Sequence, residues 1–558
     1  MGFLNQEVPA IDFPEWSKGT RAEKIRPMAR HWAEVGFGTP VALHLFYVVK
    51  ILAYIGVGWL FTIGHSPTDP IVFQKVVLFS MLFEVVGLGC GFGPLNNRFY
   101  PPMGSILYWL RPNTIRLPPW PGRVPFTKGD NRGLVDVLLY GALLLTLVVA
   151  LLSRPTSNGL LPAWQSWTVL ALLALAGVRD KVIFLAARGE VYAPFVVAFL
   201  LGTPDDLIAA KLVCLVIWMG AATSKLTKHF PFVIATMMSN SPVVRPRALK
   251  RAFFEHFPDD LRPGSLSRGL AHVSTAIEGL VPLALLISHG GWPTAIAASV
   301  MVVFHLGILS AIPMGVPLEW NVFMIFCVLF LFVGHAEVGV GDMTSPLPVI
   351  LAAAMVAVVI AGNLMPHKIS FLPGMRYYAG NWDTTLWCLT PSAEAKIAEG
   401  IVAIANMPAA QLEKFYGSKE AAQIPIYMGY AFRGFNTHGK ALFTLAHRAM
   451  AGHDEDNYSV TDGERICSTA IGWNFGDGHM HDEQLIAALQ RRCGFEPGEV
   501  RVVLLDAQPI QRQTQHYRLV DAATGEFERG YVNVADMVVR QPWDDDVPVH
   551  VEPRRYPV

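Results

Sequence analysis

Residues 216–242 read VIWMGAATSKLTKHFPFVIATMMSNSP, an apolar stretch closed by three basic side chains. If a helix runs on through them, Lys225, Lys228 and His229 fall at i, i+3 and i+4, on one face. Cations crowded on one face lower one another's pKa, and a desolvated lysine becomes a neutral base near pH 7. The same three residues also fit a snorkelling cationic belt that anchors a helix at the headgroups. Other ionisable groups interrupt apolar runs: Lys50, Glu84, Glu278, His305, and Glu319 with Asn321. A charge inside a bilayer costs roughly 2.5–3.5 kcal/mol on insertion scales, so each marks a candidate functional position. Lys50 and Glu84 are expected to pair across the first two apolar segments. Glu278 and His305 would form a proton relay if they face each other, each moving the other's pKa toward neutrality.

Two further constellations lie beyond the last apolar run. Gly476-Asp477-Gly478-His479-Met480-His481-Asp482-Glu483 offers His479, His481 and Glu483 as ligands for a divalent metal such as zinc, iron or manganese. Its plainer reading is a glycine turn entering a helix, with the acidic residues facing the helix dipole. In RYYAGNWD, Arg376, Tyr377, Tyr378, Asn381 and Trp382 would either bind an amphiphile at a cavity mouth or form an aromatic anchoring belt. No P-loop, G-x-G-x-x-G after a strand, or G-x-S-x-G elbow occurs, so nucleotide binding and α/β-hydrolase chemistry find no support. None of the six cysteines forms a C-x-x-C pair.

The segment W-M-G-A-A-T-S-Lys225-Leu226, ending an apolar run before an aromatic-rich stretch, resembles part of the horizontally transferred transmembrane superfamily. That superfamily includes the vitamin K-dependent γ-glutamyl carboxylases. The resemblance implies that Lys225 would deprotonate a reduced quinone, although Ser224 stands where those enzymes carry a second lysine. FLPGMRYYAGNWDTTLW at 371–387 and WNFGDGHMHDEQL at 473–485 resemble, along nearly the whole chain, an uncharacterised bacterial multi-pass transmembrane family that implies no activity.

The elements that must position these residues are mostly membrane helices. Of 558 residues 52% are hydrophobic and only 16% charged, where soluble domains carry about a quarter charged residues. Mean hydropathy is +0.37. Lys+Arg and Asp+Glu both count 44, so no nucleic-acid partner is signalled and membrane lipids are the expected surroundings. Apolar segments near 41–63, 72–93, 133–152, 164–178, 190–203, 207–224, 270–288, 293–312, 320–337 and 346–364 approach the ~20 residues a helix needs to cross. Ten spans are expected, or eight or nine if 164–203 forms one long helix and a re-entrant piece.

The expected fold is an all-α polytopic membrane bundle with a C-terminal α+β soluble domain. Residues 1–40 are an N-terminal interfacial amphipathic segment, 41–365 the helical domain and 366–558 the soluble domain. Residues 20–34 (TRAEKIRPMARHWAE) are expected along the membrane surface, with Pro27 kinking or breaking any helix there. The N-terminus lacks a signal-peptide pattern. Basic residues cluster in the N-terminal segment, around 98–132 and around 228–268, whereas the loops at 64–70, 289–293 and 339–346 lack Lys and Arg. That asymmetry predicts a plasma-membrane protein with both termini cytoplasmic. In the C-terminal part, helices are expected at 391–416, 440–451 and 482–493, and strands at 500–507, 516–521 and 531–539. Two functional readings follow. One is a membrane-embedded enzyme acting on a quinone, isoprenoid or acyl lipid, with Lys225 as base, His229, Glu278 and His305 in support, and a quinone as possible cofactor. The other is a non-catalytic lipid carrier, or a scaffold presenting the C-terminal domain to a partner.

Overall fold

Every apolar run of the sequence forms or contains a helix in the computed structural model, which describes residues 3–96, 104–311, 317–473 and 475–553. Arg98, one of the expected basic-loop residues, lies outside the described residues. In chain order the longer helices of the first two thirds are α1 (Arg21–Val35), α2 (Val41–Leu60), α3 (Pro70–Val85), α4 (Leu134–Leu152), α5 (Ala163–Arg179) and α6 (Gly189–Ala198). They continue as α7 (Asp205–Ser224), α8 (Phe230–Asn240), α9 (Ser265–Ile287), α10 (Gly291–Ala311), α11 (Leu318–Cys327) and α12 (Leu347–Leu364). Among the described residues, six are long and apolar enough to cross a membrane: α2, α4, α7, α9, α10 and α12. The rest are shorter or carry charge, and α11 continues as a wider π-helical turn over Val328–Gly334.

The 164–203 region is not one long helix. The chain breaks at Asp180 and at Arg188, which takes a left-handed conformation at φ 51°. The charges there are each paired: Arg179 with Asp136 at 2.5 Å, Asp180 with Arg132 at 2.8 Å, Lys181 with Asp482 at 3.3 Å, and Arg188 with Glu190 at 2.7 Å.

Helix α7 is the central one. Its small residues permit this: a Cβ on Gly220 would come within 2.8 Å of the Met375 side chain. By contrast α2 leaves Leu45, Val48, Val49 and Leu52 exposed on its outer face, as a lipid-facing helix does. At one end of the bundle, His335 Nε2 meets the Thr68 carbonyl at 2.8 Å, Lys211 donates to the His335 carbonyl at 2.8 Å, and Asp205 accepts from the Thr344 amide at 2.8 Å. The loops there are those lacking Lys and Arg, together with the start of α7. At the other end the basic loops meet the C-terminal part. Arg491 reaches Asp130 at 3.0 Å, Trp109 donates to the Ile471 carbonyl at 3.0 Å, and His229 meets Gln508 at 2.7 Å.

α1 turns its apolar face to protein. A capping box between Thr20 and Glu23 starts it, and it runs on through Pro27, whose ring forgoes only the bond to Glu23. Its apolar face (Ile25, Met28, Ala29, Trp32) packs with residues of α8 and of the C-terminal helix Lys419–Phe435 in one core. Amphipathicity alone does not distinguish lipid from protein as the partner of that face.

After residue 366 the chain builds a six-stranded antiparallel sheet. The hairpin β1 (Phe254–His256) and β2 (Asp260–Pro263) precedes it in sequence. The sheet comprises β3 (Thr384–Leu389), β4 (Ser459–Asp462), β5 (Val500–Leu505), β6 (Thr514–Asp521), β7 (Gly525–Asn533) and β8 (Val549–Val551), in the order β4-β3-β5-β6-β7-β8. The helix expected at 482–493 spans Glu483–Cys493, with Asp482 capping the Gln484 amide at 2.9 Å and Gly494 left-handed after it. The expected helix at 391–416 is two, Pro391–Gly400 and Pro408–Tyr416. The strand expected at 531–539 ends at Asn533, and Val534–Val538 turns helical.

Candidate functional site

Helix α7 stops at Ser224, so residues 225–229 form a turn and the shared helical face expected for Lys225, Lys228 and His229 does not exist. The three side chains part company. Lys228 is exposed. His229 is buried, with Nδ1 against the Thr437 hydroxyl and Nε2 2.7 Å from Gln508 Oε1. Gln508 donates its amide to the Arg512 carbonyl, so its oxygen faces His229 and accepts from Nε2–H, leaving Nδ1 to accept from Thr437. Both ring nitrogens are used, and burial pushes the imidazole down to about 4. His229 is a neutral rivet between the bundle and the sheet.

Lys225 turns the other way, into the bundle, and forms a buried ion pair with Glu278 of α9. The pair sits at the wall of a cavity of about 300 Å³ between α7, α8, α9, α10 and α11. The wall is apolar and aromatic: Ile217, Trp218 and Ala221 from α7, Phe230 and Met237 from α8, Phe304 from α10, Trp320 and Met324 from α11. Lys225 also lines a second cavity of about 570 Å³, which opens toward the C-terminal part between Lys228, Arg262, Arg268 and Gln508. Among the described residues it is the one side chain common to both. A lysine whose carboxylate partner takes one N–H retains two for a ligand.

Glu278 and His305 do not face each other as a relay. Lys225 takes Glu278, and His305 is held elsewhere: Asn321 donates its amide to the Pro317 carbonyl at 2.8 Å, so its oxygen accepts from His305 Nδ1–H at 2.8 Å. Trp218 Nε1–H then donates to His305 Nε2 at 3.1 Å. With both nitrogens engaged, the imidazole is neutral and fixes the Trp218 ring against the cavity. Nor does Lys50 pair with Glu84; its nearest carboxylate is Glu319 of α11, at 2.5 Å. Glu84 accepts the Cys90 amide at 2.8 Å instead.

The RYYAGNWD segment is buried rather than interfacial. Tyr377 and Tyr378 line the 300 Å³ cavity, and Tyr378 does so from a left-handed backbone at φ 51°. Such strained positions in non-glycine residues gather at functional sites. Arg376 donates to the Asn381 carbonyl at 3.3 Å, Asn381 exchanges two hydrogen bonds with the Gln508 backbone, and Trp382 packs on the His438 ring. Those three therefore fasten the segment to the sheet while the tyrosines face the cavity.

Sequence reading missed Arg188. It is 1% exposed, lines the cavity opposite α8, and is boxed by the Trp320, Tyr377 and Phe475 rings at 5.0–5.4 Å. Read as one loop charge among several, it gave no signal, because its aromatic box is assembled from three distant segments.

The residues offered as a metal cluster do not converge. His479 Nδ1 lies 3.1 Å from Asp477 and 3.8 Å from Asp383. Burial opposes its charge, but Asp383 and Asp477 overcome that and push it up to about 9, which favours the imidazolium. His481 Nδ1 meets the Thr385 hydroxyl at 2.7 Å, and burial pushes it down to about 3. Glu483 pairs with Arg518 at 2.6 Å.

No curated protein and no solved structure matches this chain. The local likeness to the γ-glutamyl carboxylases thus gains no support from relatives. A family model, described as a transmembrane protein of unknown function (DUF3556), matches residues 1–552, nearly the whole chain, and agrees with the apolar helices described above. The chain belongs to that transmembrane family.

Proposed function

We propose that this protein is a multi-pass membrane enzyme that takes a lipid-phase amphiphile (a quinone, isoprenoid or acyl lipid) into the cavity between α7 and α11. The ligand's oxygen-bearing head would meet Lys225 and Glu278. One observation carries the reading: a buried lysine–glutamate pair separates an apolar chamber from a polar one that faces the basic end of the bundle. In that position the ammonium stabilises negative charge on the head's oxygen, and the carboxylate receives the proton the head gives up. Low dielectric strengthens both effects. Trp218, held by His305 and Asn321, and the tyrosines 377 and 378 would shape the chamber around the apolar body.

The alternation of loops between the two ends supports ten passes. The basic loops gathered with both chain ends support a cytoplasmic, plasma-membrane orientation. A scaffold role fits less well, because the C-terminal part does not stand apart: Tyr377, Tyr378 and Phe475 complete the cavity wall.

The test is mass spectrometry of small molecules that co-purify with the full-length protein in mild detergent, compared with Lys225→Met and Glu278→Gln. A lipid enriched at stoichiometric level in the native protein and depleted at least tenfold in both variants supports the reading. Equal lipid profiles in all three would remove it. Chemical change of the bound lipid on incubation separates an enzyme from a carrier.

A further inference from the structure

Behind the cavity wall lies a second polar cluster, which the proposed function does not use. Lys50, Glu84, Arg188, Glu190 and Glu319 are each at most 7% exposed and sit around Cys90. We propose that Glu84, Cys90 and Glu319 bind a divalent transition metal of the zinc type.

Geometry comes first. Ligand atoms of the three residues lie within 4.8 Å of one another, close enough to collapse onto one ion with small rotamer shifts. The chain is shaped for that approach. After α3 it turns through Gly87, Gly91 and Gly93, at φ 81°, 77° and 127°, bringing Cys90 back over the end of its own helix. A Cβ on Gly89 would stand 1.9 Å from Glu84 Oε2, so glycine lets the turn close on the carboxylate as it stands.

The second observation is a half-satisfied carboxylate. Oε2 of Glu319 has no hydrogen-bond partner among the described residues. Oε1 is ion-paired with Lys50 Nζ at 2.5 Å, and that ammonium also donates to the carbonyls of Gly89 at 2.9 Å and Phe92 at 3.4 Å. Lone pairs left empty in a dry interior are costly.

Charge points the same way. Counted as ionised, three carboxylates face two cations, Lys50 and Arg188, which leaves one negative charge in excess where low dielectric forbids it. With a doubly charged ion and the Cys90 thiolate, four negative groups balance two cationic side chains and the metal. Cys90 Sγ donates to Glu84 Oε1 at 3.4 Å, and Arg188 Nη1, 3.4 Å from the sulfur, would steady the thiolate once an ion displaced that proton. A sulfur with two carboxylates suits zinc or iron(II) rather than magnesium or calcium, which take oxygen alone. Three protein ligands leave a coordination position free.

The test uses the full-length protein in mild detergent, stripped with chelator and reloaded with Zn²⁺ or Co²⁺ alone. Expected are equimolar zinc by elemental analysis and, in the cobalt form, the charge-transfer absorption of a thiolate ligand. Cys90→Ser should abolish that absorption, and Glu319→Gln should weaken metal retention at least tenfold, whereas Cys214→Ser should change neither. Should Cys90→Ser or Glu319→Gln fail to fold, the native cobalt spectrum decides alone. Native protein that retains no stoichiometric zinc, or a cobalt form without the thiolate band, overturns the proposal and leaves a proton shared between Glu84 and Glu319.

Discussion

The chamber beside Lys225 and the small pocket beside His479 both gather ionisable side chains, and they neutralise them in opposite ways. Around Lys225 the walls are hydrocarbon, and one carboxylate meets one ammonium with room left beside them. Around His479 the pocket measures only about 70 Å³, and its charges are tied to nearby partners: Asp506 and Glu483 to Arg518, Asp482 to Lys181, and Asp383 to Arg376 and His479. Charges enclosed among their partners hold structure; an ion pair at the wall of an apolar chamber has a side left over for a ligand. The contrast is why the chamber, and not the run at 476–483 with its more numerous ligand-type residues, is the candidate ligand site.

The sharpest way to break that contrast is Lys225→Met. It strands Glu278 in an apolar wall, and removal of one partner of a buried pair costs roughly 3–5 kcal/mol. The double variant Lys225→Met/Glu278→Gln should regain most of that in detergent unfolding while still failing to retain lipid. Stability and ligand loss would then separate. If the double variant keeps its lipid, the pair is structural.

The pocket predicts a pH signature instead. His479 has a folded pKa raised from 6.5 to about 9, so its contribution is complete below pH 6.5 and disappears as pH rises through 9. The shift corresponds to roughly 3 kcal/mol at most. Against His479→Asn, the native protein's advantage in thermal unfolding should shrink between pH 7 and 10. A constant gap across that range would mean that His479 is not an imidazolium held by Asp383 and Asp477.

Within the chamber, His305→Phe separates a wall from a relay. It leaves the Trp218 N–H and the Asn321 oxygen without partners, at a cost of about 2 kcal/mol. Lipid retention should weaken as Trp218 loosens, but its dependence on pH between 5 and 8 should not change. A displaced pH profile would restore the relay.

What the sequence disclosed, and what it withheld, follows from the range of the interactions. The helix at 483–493 was legible because its cap, dipole charges and terminal glycine are neighbours in the chain. The apolar runs were legible for the same reason. Pairings were not: Lys225 finds Glu278 and Lys50 finds Glu319 across gaps that no spacing rule spans. One local expectation also failed, since the three cations after residue 224 were given a helical phase that the chain abandons at Ser224. Candidate residues were therefore recognisable one at a time, whereas their partners required the fold.

The smallest expected effect is the most pointed test of the pocket as structure rather than metal site. Glu483 pairs with Arg518 at 2.6 Å, but it is half exposed, and Arg518 keeps Asp506 at 3.2 Å when Glu483 is neutralised. Exposed pairs contribute about 0–1 kcal/mol, because water and salt screen them. Glu483→Gln should thus move the unfolding midpoint only slightly, and less still in high salt. Its bound-metal content should equal that of the native protein, in contrast to Glu319→Gln. A loss of metal on changing Glu483 would shift the ion from the bundle to the sheet, and would make His479 a ligand after all.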